Sequence, residues 1–230
     1  MSLLPAGVPV SQAVVAHGDV RGVVGLVLRA VDSVHGDGGL PRLPVNLSSL
    51  VEEYAEASYY FDSASNTALR IWISPDAEVP ELSFLHELAH FVDHKGFGQA
   101  GERQQKPFAS EGNPLLSEWR RSVFASEAAS RLREVSEFRS ARVALDDGTS
   151  VSVDIDRAYV EYLLEPKELF ARSYAQYVVV NSQNKTLQRQ LDGLRYEPLA
   201  SLYPLQWEEA DFLAIADALD DVFQQQGWIK

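Results

Sequence analysis

Hydrophobic residues recur at helical spacing in five parts of the chain. Between residues 19 and 34 they fall at every third or fourth position, which places them on one face of an amphipathic helix. The same spacing, bounded by Pro or Gly residues, predicts further helices over 82–94, 115–135, 166–180 and 207–226. Each of these helices would bury its apolar face against the rest of the chain.

Strand patterns occur in two other regions. Short runs rich in Tyr, Ile, Val and Trp lie between residues 43 and 74 and are interrupted by turn residues at 62–66. They predict a small, mainly antiparallel sheet whose last strand is 69–73. A β-hairpin is predicted over 141–155, where Asp146-Asp147-Gly148 supplies the turn.

The order of these elements predicts an α+β fold with extra helices at both ends. No repeat or linker divides the chain, so we expect one domain over residues 1–230. It would comprise an N-terminal helical part (1–42), a core (43–180) and a C-terminal helical part (181–230). Residues 95–114 are rich in Gly, Gln, Pro and Ser, and we expect a long loop of the kind that often forms a lid.

Composition and charge exclude several classes of partner and site. The net charge is −13, from 20 basic and 33 acidic residues, which argues against nucleic acid because phosphate binding needs clustered Lys and Arg. The chain has no Cys, so only His and carboxylates remain as strong metal ligands. There is no signal-peptide pattern, and no apolar run approaches the roughly 20 residues that span a bilayer. We therefore expect a cytoplasmic protein without a membrane partner. Export by a signal-free route and association with a virion are also compatible with this sequence. The sequence does not indicate an oligomeric state.

Three of the five histidines lie in the segment HELAHFVDH at 86–94. This segment contains the HExxH pattern, and on a helix His86 and His90 are about 40° apart on one face, so both rings can bind one metal ion. Apolar residues of the segment fall on the opposite face, which would anchor the helix in the core. Glu87 would stand beside the metal as the general base that deprotonates a zinc-bound water. The pattern therefore predicts Zn²⁺ at the floor of a cleft.

A catalytic zinc ion usually has three protein ligands and one open position, so a third ligand is required. His94 lies a turn beyond His90, about 6 Å further along the axis, and would bind the same ion only in an awkward geometry. Its alternative role is that of a charged residue whose position at the helix end favours the dipole. Asp93 is better placed to accept a hydrogen bond from His86 or His90 and so to orient the ring.

The downstream segment EPKELFARSYAQYV at 165–178 offers two further carboxylates. On a helix, Glu168 shares its face with two alanines, which would let this helix approach the HExxH helix closely. Glu168 is therefore the preferred third ligand and Glu165 an alternative, although capping of the helix also accounts for a Glu at this position. Arg172, one turn beyond, is expected to pair with Glu168 or Glu165.

The remaining candidates are tyrosines and isolated histidines. Peptide hydrolysis needs a group that stabilises the oxyanion, and Tyr159, Tyr162 and Tyr174 are the candidates. Tyr174 falls on the helix face away from the carboxylate, so we expect it in the core. His17 and His35 flank the first helix beside Gly and Asp, and we expect both to be solvated.

The HExxH helix, preceded by a strand and followed by a helix with a Glu ligand, resembles the zincin metallopeptidases of the gluzincin type. The segments HELAHFVDH and EPKELFARSYAQYV are similar in particular to metallopeptidase domains of phage and mobile-element polyvalent proteins. A more distant similarity is to anthrax lethal-factor-like peptidases. The resemblance covers roughly residues 71–180.

The resemblance implies a zincin-like fold in which His86, His90 and Glu168 bind zinc and Glu87 is catalytic. It implies a hydrolase that cleaves a protein or peptide substrate lying as an extended strand along the sheet edge, here expected at 69–73. The alternative is a catalytically weak or inactive zincin-fold protein with a structural or interaction role in a phage or mobile element.

Overall fold

The chain folds into α-helices packed around a small mixed sheet. A computed structural model describes residues 4–36, 39–51, 55–97, 106–144, 148–195 and 199–230. Within these ranges the helices are α1 (Arg21–Asp32), α2 (Pro80–Lys95), α3 (Ser117–Ala125), α4 (Glu127–Ser136), α5 (Arg157–Leu163), α6 (Pro166–Ser182), α7 (Lys185–Arg195) and α8 (Glu209–Gln225). The strands are β1 (Val14–Ala16), β2 (Leu43–Leu47), β3 (Ala57–Asp62), β4 (Thr67–Ile73), β5 (Ser140–Ala144) and β6 (Ser150–Asp154). The fold class is therefore α+β, as predicted.

The main sheet has the strand order β1-β2-β4-β3. β1 pairs with β2 and β2 with β4 in parallel, and only β3 and β4 are antiparallel, so the prediction of a mainly antiparallel sheet was wrong. The reason is that α1 connects β1 to β2, and a helical crossover returns the chain in the same direction. The N-terminal part thus adds a strand to the sheet. β4 lies inside the sheet and β3 at its edge, so the expectation that 69–73 forms the edge was also wrong.

Helix α2 lies between the sheet and the other helices. It contacts β3 and β4 on one side and α1 and α6 on the other. Its apolar residues from Phe84 to Val92 are almost fully buried, and so are the side chains of His90, Asp93 and His94. The face of α2 that carries the histidines was predicted to be exposed to solvent, but it is largely covered. The reason is that the sheet and the other helices enclose a helix that the sequence pattern placed at a surface.

Two helices replace the single helix predicted over 115–135. Ser126 separates α3 from α4 with an extended backbone (φ −65°, ψ 153°), and its side chain accepts a hydrogen bond from the Ala129 N–H. This N-cap starts α4 afresh, although the hydrophobic spacing continues through the break. The seven-residue helix α5 was not predicted, because it is too short to show a clear periodicity.

The predicted loop and hairpin are partly covered by the described residues. Of the loop 95–114, residues 98–105 lie outside them, and its role as a lid stays a prediction. The later part of the loop contains a 3-10 turn at Ala109–Glu111. The strands of the hairpin, β5 and β6, pair antiparallel as predicted, while 145–147, including Asp146 and Asp147 of the turn, lie outside the described residues.

His35 is buried, so the prediction that it is solvated was wrong, whereas His17 is exposed as predicted. The His35 ring stacks on Phe223 and Trp228, with centroids 4.7 and 5.6 Å away. These partners come from the C-terminal end of the chain, which local sequence cannot indicate.

Of the helices in the described ranges, none is both long and apolar enough to span a lipid bilayer.

Candidate metal and catalytic site

Helices α2 and α6 bring together the three side chains predicted to bind metal. His86 and His90 lie one turn apart on α2, with ring centroids 4.9 Å apart. Glu168 is in the first turn of α6, which begins at Pro166. The two helices pack against each other, and the alanines at 171 and 175 are buried, in agreement with the predicted close approach. Carboxylate and imidazoles therefore converge from two elements.

The spacing of the three ligand atoms fits a zinc ion. His86 Nε2 lies 3.2 Å from Glu168 Oε2, and His90 Nε2 lies 3.4 Å from Glu168 Oε1. All three side chains offer ligand atoms within 4.8 Å of one another. Atoms bound about 2 Å from a tetrahedral zinc ion are about 3.3 Å apart, close to the two His–Glu168 distances, which end on different oxygens of Glu168. The donor set of two imidazoles and one carboxylate is also one that zinc accepts in catalytic sites.

The charge states of this cluster favour an anionic carboxylate. Burial by itself would raise the pKa of Glu168, but hydrogen bonds and charge interactions with His86 and His90 lower it well below its ordinary value. Burial would lower the pKa of His90, but the hydrogen bond and charge of Glu168, together with the charges of Glu87 and Asp93, outweigh burial and raise that pKa. Glu168 is therefore ionised and available as a metal ligand.

Glu87 lies beside this cluster and is held by the sheet edge. Its Oε2 atom accepts a 2.7 Å hydrogen bond from the backbone N–H of Tyr59 on β3. Burial raises the pKa of Glu87, against the lowering effect of the nearby histidines. A carboxylate with a raised pKa is a stronger base, so Glu87 is suited to take up a proton.

Two pockets adjoin the cluster. We call one the aliphatic pocket, of about 420 Å³, with walls that include Leu82, Leu163 and Leu205. The other, the aromatic pocket, has about 480 Å³ and walls formed by Tyr59, Phe61, Pro107 and Phe108. Ala55, Ala57, Glu87, Tyr162 and Glu168 line both pockets. The cluster therefore borders two pockets that share part of their walls, the aliphatic pocket at His86 and the aromatic pocket at His90.

Tyr162 is the candidate oxyanion donor that the fold brings to the cluster. Its phenol hydrogen-bonds to Glu168, and burial together with that carboxylate raises its pKa. Tyr159 stacks on it, with ring centroids 6.3 Å apart, and lines only the aliphatic pocket of the two. Tyr174 is fully buried and its hydroxyl bonds to His35, so it belongs to the core as predicted.

Asp93 does not orient a histidine, contrary to the prediction. Its two oxygens accept hydrogen bonds from the Ser110 backbone N–H (2.7 Å) and hydroxyl (2.5 Å). Burial raises the pKa of Asp93 to about 7 despite these hydrogen bonds. Among the described residues, His90 Nδ1 is buried without a hydrogen-bond partner. The partner of Asp93 lies 17 positions away in sequence, which helical spacing could not reveal.

His94 is neither a ligand in the cluster nor a charged helix end. Its Nδ1 accepts a 2.7 Å hydrogen bond from the Tyr59 hydroxyl, and its Nε2 donates a 2.6 Å bond to Asn66 Oδ1. Burial lowers its pKa to about 4, so the ring is neutral near pH 7. Both predicted roles were therefore wrong, because the hairpin of β3 and β4 covers this end of α2.

Glu165 and Arg172 also differ from their predicted roles. Glu165 precedes α6 and pairs with Lys167 at 2.9 Å, outside the cluster. The Arg172 guanidinium forms no ion pair with either carboxylate among the described contacts; it donates hydrogen bonds to the carbonyls of Glu168, Leu163, Pro204 and Leu205. It thereby ties the end of α5 and the segment before α8 to the helix that carries Glu168.

The aromatic wall on β3 was not identified from the sequence. Alternate residues of a strand point to the same face, so Ala57, Tyr59 and Phe61 share one side of β3. That spacing was present in the sequence, but without the position of β3 beside α2 it does not distinguish a pocket wall from ordinary core.

No protein-family model, curated protein or solved structure matches this chain. The function is therefore argued from the site itself.

Proposed function

We propose that this protein is a zinc-dependent metallopeptidase with a zincin-like fold of the gluzincin type. The observation that carries the proposal is the convergence of His86, His90 and Glu168 on one point, with Glu87 beside them in a cleft. Two histidines on one helix, a carboxylate from a second helix and an adjacent general base are together the parts that zinc-assisted hydrolysis requires.

His86, His90 and Glu168 would hold the zinc ion. When bound there, zinc would act as a Lewis acid toward the scissile carbonyl and lower the pKa of a water. Glu87 would take the proton of the attacking water and pass it to the leaving amine. The hydrogen bond from Tyr59 keeps the Glu87 carboxylate beside the cluster, which reduces the reorganisation needed for this transfer.

Tyr162 would stabilise the negative charge on the carbonyl oxygen during attack. It lines both pockets, its hydroxyl already reaches Glu168, and its raised pKa keeps it protonated as a donor near neutral pH. A positioned hydroxyl of this kind lowers the energy of the tetrahedral intermediate.

The substrate would be an extended protein or peptide segment lying along β3, rather than along the strand first expected. Two hydrogen bonds show which backbone groups of β3 face away from β4. The Glu56 carbonyl accepts from the Ser74 N–H, just beyond the end of β4, whereas the Tyr59 N–H points away from β4 and donates to Glu87. Alternation then directs the backbone groups of Ala57 outward as well. Because one pocket adjoins the cluster at His86 and another at His90, we propose internal rather than terminal cleavage.

A metal analysis with paired variants tests the proposal. Untagged wild type, His86→Ala and Glu168→Ala would be measured for zinc by plasma mass spectrometry, and Glu87→Gln for peptide cleavage. We expect about one zinc ion per chain in wild type, loss in His86→Ala, and intact zinc without cleavage in Glu87→Gln. Glu118→Gln, on an exposed face of α3, is the control for both measurements.

Two outcomes would contradict the proposal in different ways. Wild type that binds no zinc even after zinc is added would exclude the metal site. Zinc binding without cleavage of any peptide would favour the alternative of a zincin-fold interaction protein, including one from a phage or mobile element. A cytoplasmic location remains part of the proposal and is tested separately by cell fractionation.

A further inference from the structure

We propose that the aromatic pocket selects substrates by binding an aromatic side chain next to the scissile bond. This inference rests on the proposed peptidase function and adds the class of residue that the cleft recognises.

The pocket is walled by aromatic rings from two separate elements. Phe61 of β3 and Phe108 of the segment before α3 meet edge to face, with centroids 5.6 Å apart and an interplanar angle of 82°. Tyr59 stacks beside Phe61 at 6.1 Å. Aromatic pairs are favourable at centroid distances of about 4.5–7 Å, so a further ring in the pocket can meet the edges or faces of these rings.

The pocket ends at the catalytic cluster. Glu87, His90 and Glu168 line it together with the aromatic residues. A side chain seated against Phe61 and Phe108 therefore belongs to a residue close to the bond that Glu87 would help to hydrolyse. The volume of about 480 Å³ exceeds that needed for one phenyl group.

Buried hydrogen bonds hold these walls in place before substrate arrives. The Tyr59 hydroxyl bonds to His94, which is in turn bound to Asn66. Phe108 directly precedes the turn Ala109–Glu111, which is held by the hydrogen bonds of Ser110 to Asp93. The Phe108 side chain is only 7% exposed. A pocket fixed in this way loses little conformational entropy when a ligand binds.

The charges around the pocket do not favour an acidic side chain. Lys167 and Glu111 are at its rim, but Lys167 pairs with Glu165 and Glu111 pairs with Lys106. The Tyr59 hydroxyl is already bonded to His94. The Glu87 and Glu168 carboxylates in the lining accept from the Tyr59 N–H and lie against the two histidines, whereas His90 Nδ1 is buried without a partner among the described residues. The aromatic rings therefore favour a neutral aromatic side chain, and the anionic carboxylates disfavour an acidic one.

Fluorogenic peptides that differ at one residue test the inference. Two series would carry Phe, Ala, Lys or Glu on either the amino or the carboxyl side of the scissile bond. Zinc-loaded wild type should cleave the Phe peptide of one series with a kcat/KM at least about tenfold above its Ala counterpart. Phe61→Ala should reduce this preference to about twofold, because it should lower cleavage of the Phe peptide far more than cleavage of the Ala peptide.

Two further variants guard against a loss of folding. Phe108→Leu keeps most of the wall volume and should reduce the preference in the same direction. Phe138→Ala removes a ring that is 60% exposed and lines neither pocket, so it should behave as wild type. As a measurement independent of turnover, fluorescence anisotropy would follow binding of the same peptides to Glu87→Gln with and without Phe61→Ala.

The outcomes separate the two proposals. Cleavage with no aromatic preference, or with a preference that Phe61→Ala leaves intact, would overturn the inference and leave the peptidase function standing. No cleavage at all would overturn the peptidase function. In that case tighter binding of Phe peptides, lost with Phe61→Ala, would still support the pocket, and equal binding of all peptides would overturn it as well.

Discussion

The Nε2 atom of His35 lies 2.8 Å from the hydroxyl of Tyr174, a residue of the same helix that carries Glu168. His35 Nδ1 lies 2.7 Å from the Gly36 carbonyl, which can only accept, so the ring proton is on Nδ1 and Nε2 accepts from the tyrosine. Burial lowers the pKa of His35 to about 4, although the Gly36 hydrogen bond acts in the opposite direction. Both nitrogens of the neutral ring are therefore hydrogen-bonded, and protonation of Nε2 would require the Tyr174 hydroxyl to change from donor to acceptor.

This pair predicts a loss of stability in mild acid. The folded-state pKa lies below the ordinary value of 6.5, so the unfolded chain binds the proton first and stability falls as the pH drops from about 6.5 to 4. Protonation of this one group should lower the free energy of unfolding by about 3 kcal/mol once the pH is below 4. Urea unfolding would measure the free energy of unfolding at several pH values. This free energy should fall less steeply between pH 6.5 and 4 for His35→Gln than for wild type, whereas His17→Gln, at an exposed site, should match wild type. Equal slopes in His35→Gln and wild type would contradict the prediction.

Replacing Glu87 by Gln should separate catalysis from metal binding. The amide keeps the size of the side chain but cannot take up a proton, so we expect kcat to fall about 100- to 10,000-fold. Zinc content and the thermal midpoint should remain close to those of wild type, because Glu87 is not one of the three converging side chains. A variant that cleaves peptides at the wild-type rate would exclude Glu87 as the base.

Tyr162→Phe should lower kcat with little change in KM. Removing one donor to an oxyanion costs about 100- to 1,000-fold in kcat in other hydrolases, and the same order is expected if Tyr162 acts only in the transition state. Steady-state kinetics on one peptide would measure both constants. Tyr159→Phe, which alters the stacked neighbour, should change kcat far less; a larger loss in Tyr159→Phe would reassign the donor.

Glu168→Gln should weaken zinc binding far more than Glu165→Gln. Glu168 lies against both histidines, whereas Glu165 pairs with Lys167 outside the cluster. Loss of a group that only supports a ligand typically costs 10- to 100-fold in affinity, so we expect more than about 100-fold for Glu168. Competition with a chromophoric chelator would measure it. Comparable affinities for the two variants would mean that the third ligand lies elsewhere.

Ser110→Ala should destabilise the protein. It removes the 2.5 Å hydrogen bond from the Ser110 hydroxyl to buried Asp93, and an unsatisfied buried acceptor costs about 1–3 kcal/mol. Urea unfolding would give the free energy of unfolding, with Ser136→Ala as the control, because its hydroxyl makes a solvent-exposed hydrogen bond to the Arg133 carbonyl at the end of α4. If the two variants were equally stable, the bond to Asp93 would contribute nothing measurable.

The sequence predicted the parts of the site that depend on local spacing. His86, Glu87 and His90 follow from one helical pattern, and Glu168 from a second helix with small residues on the same face. The surroundings of Asp93 and His94 could not be predicted, because their partners Ser110 and Tyr59 arrive from distant segments. The parallel pairing of β1 with β2 depends in the same way on how α1 packs rather than on the strand sequences.

The edge of β3, which pairs with no further strand among the described residues, also bears on how copies of this protein behave toward one another. An unpaired edge strand is a template for addition of any extended chain, including a second molecule. Here the strand is short, its register shifts between Tyr60 and Phe61, and the outward N–H of Tyr59 is occupied by Glu87. The contact that holds the general base therefore also blunts the edge of β3 against self-association at this position.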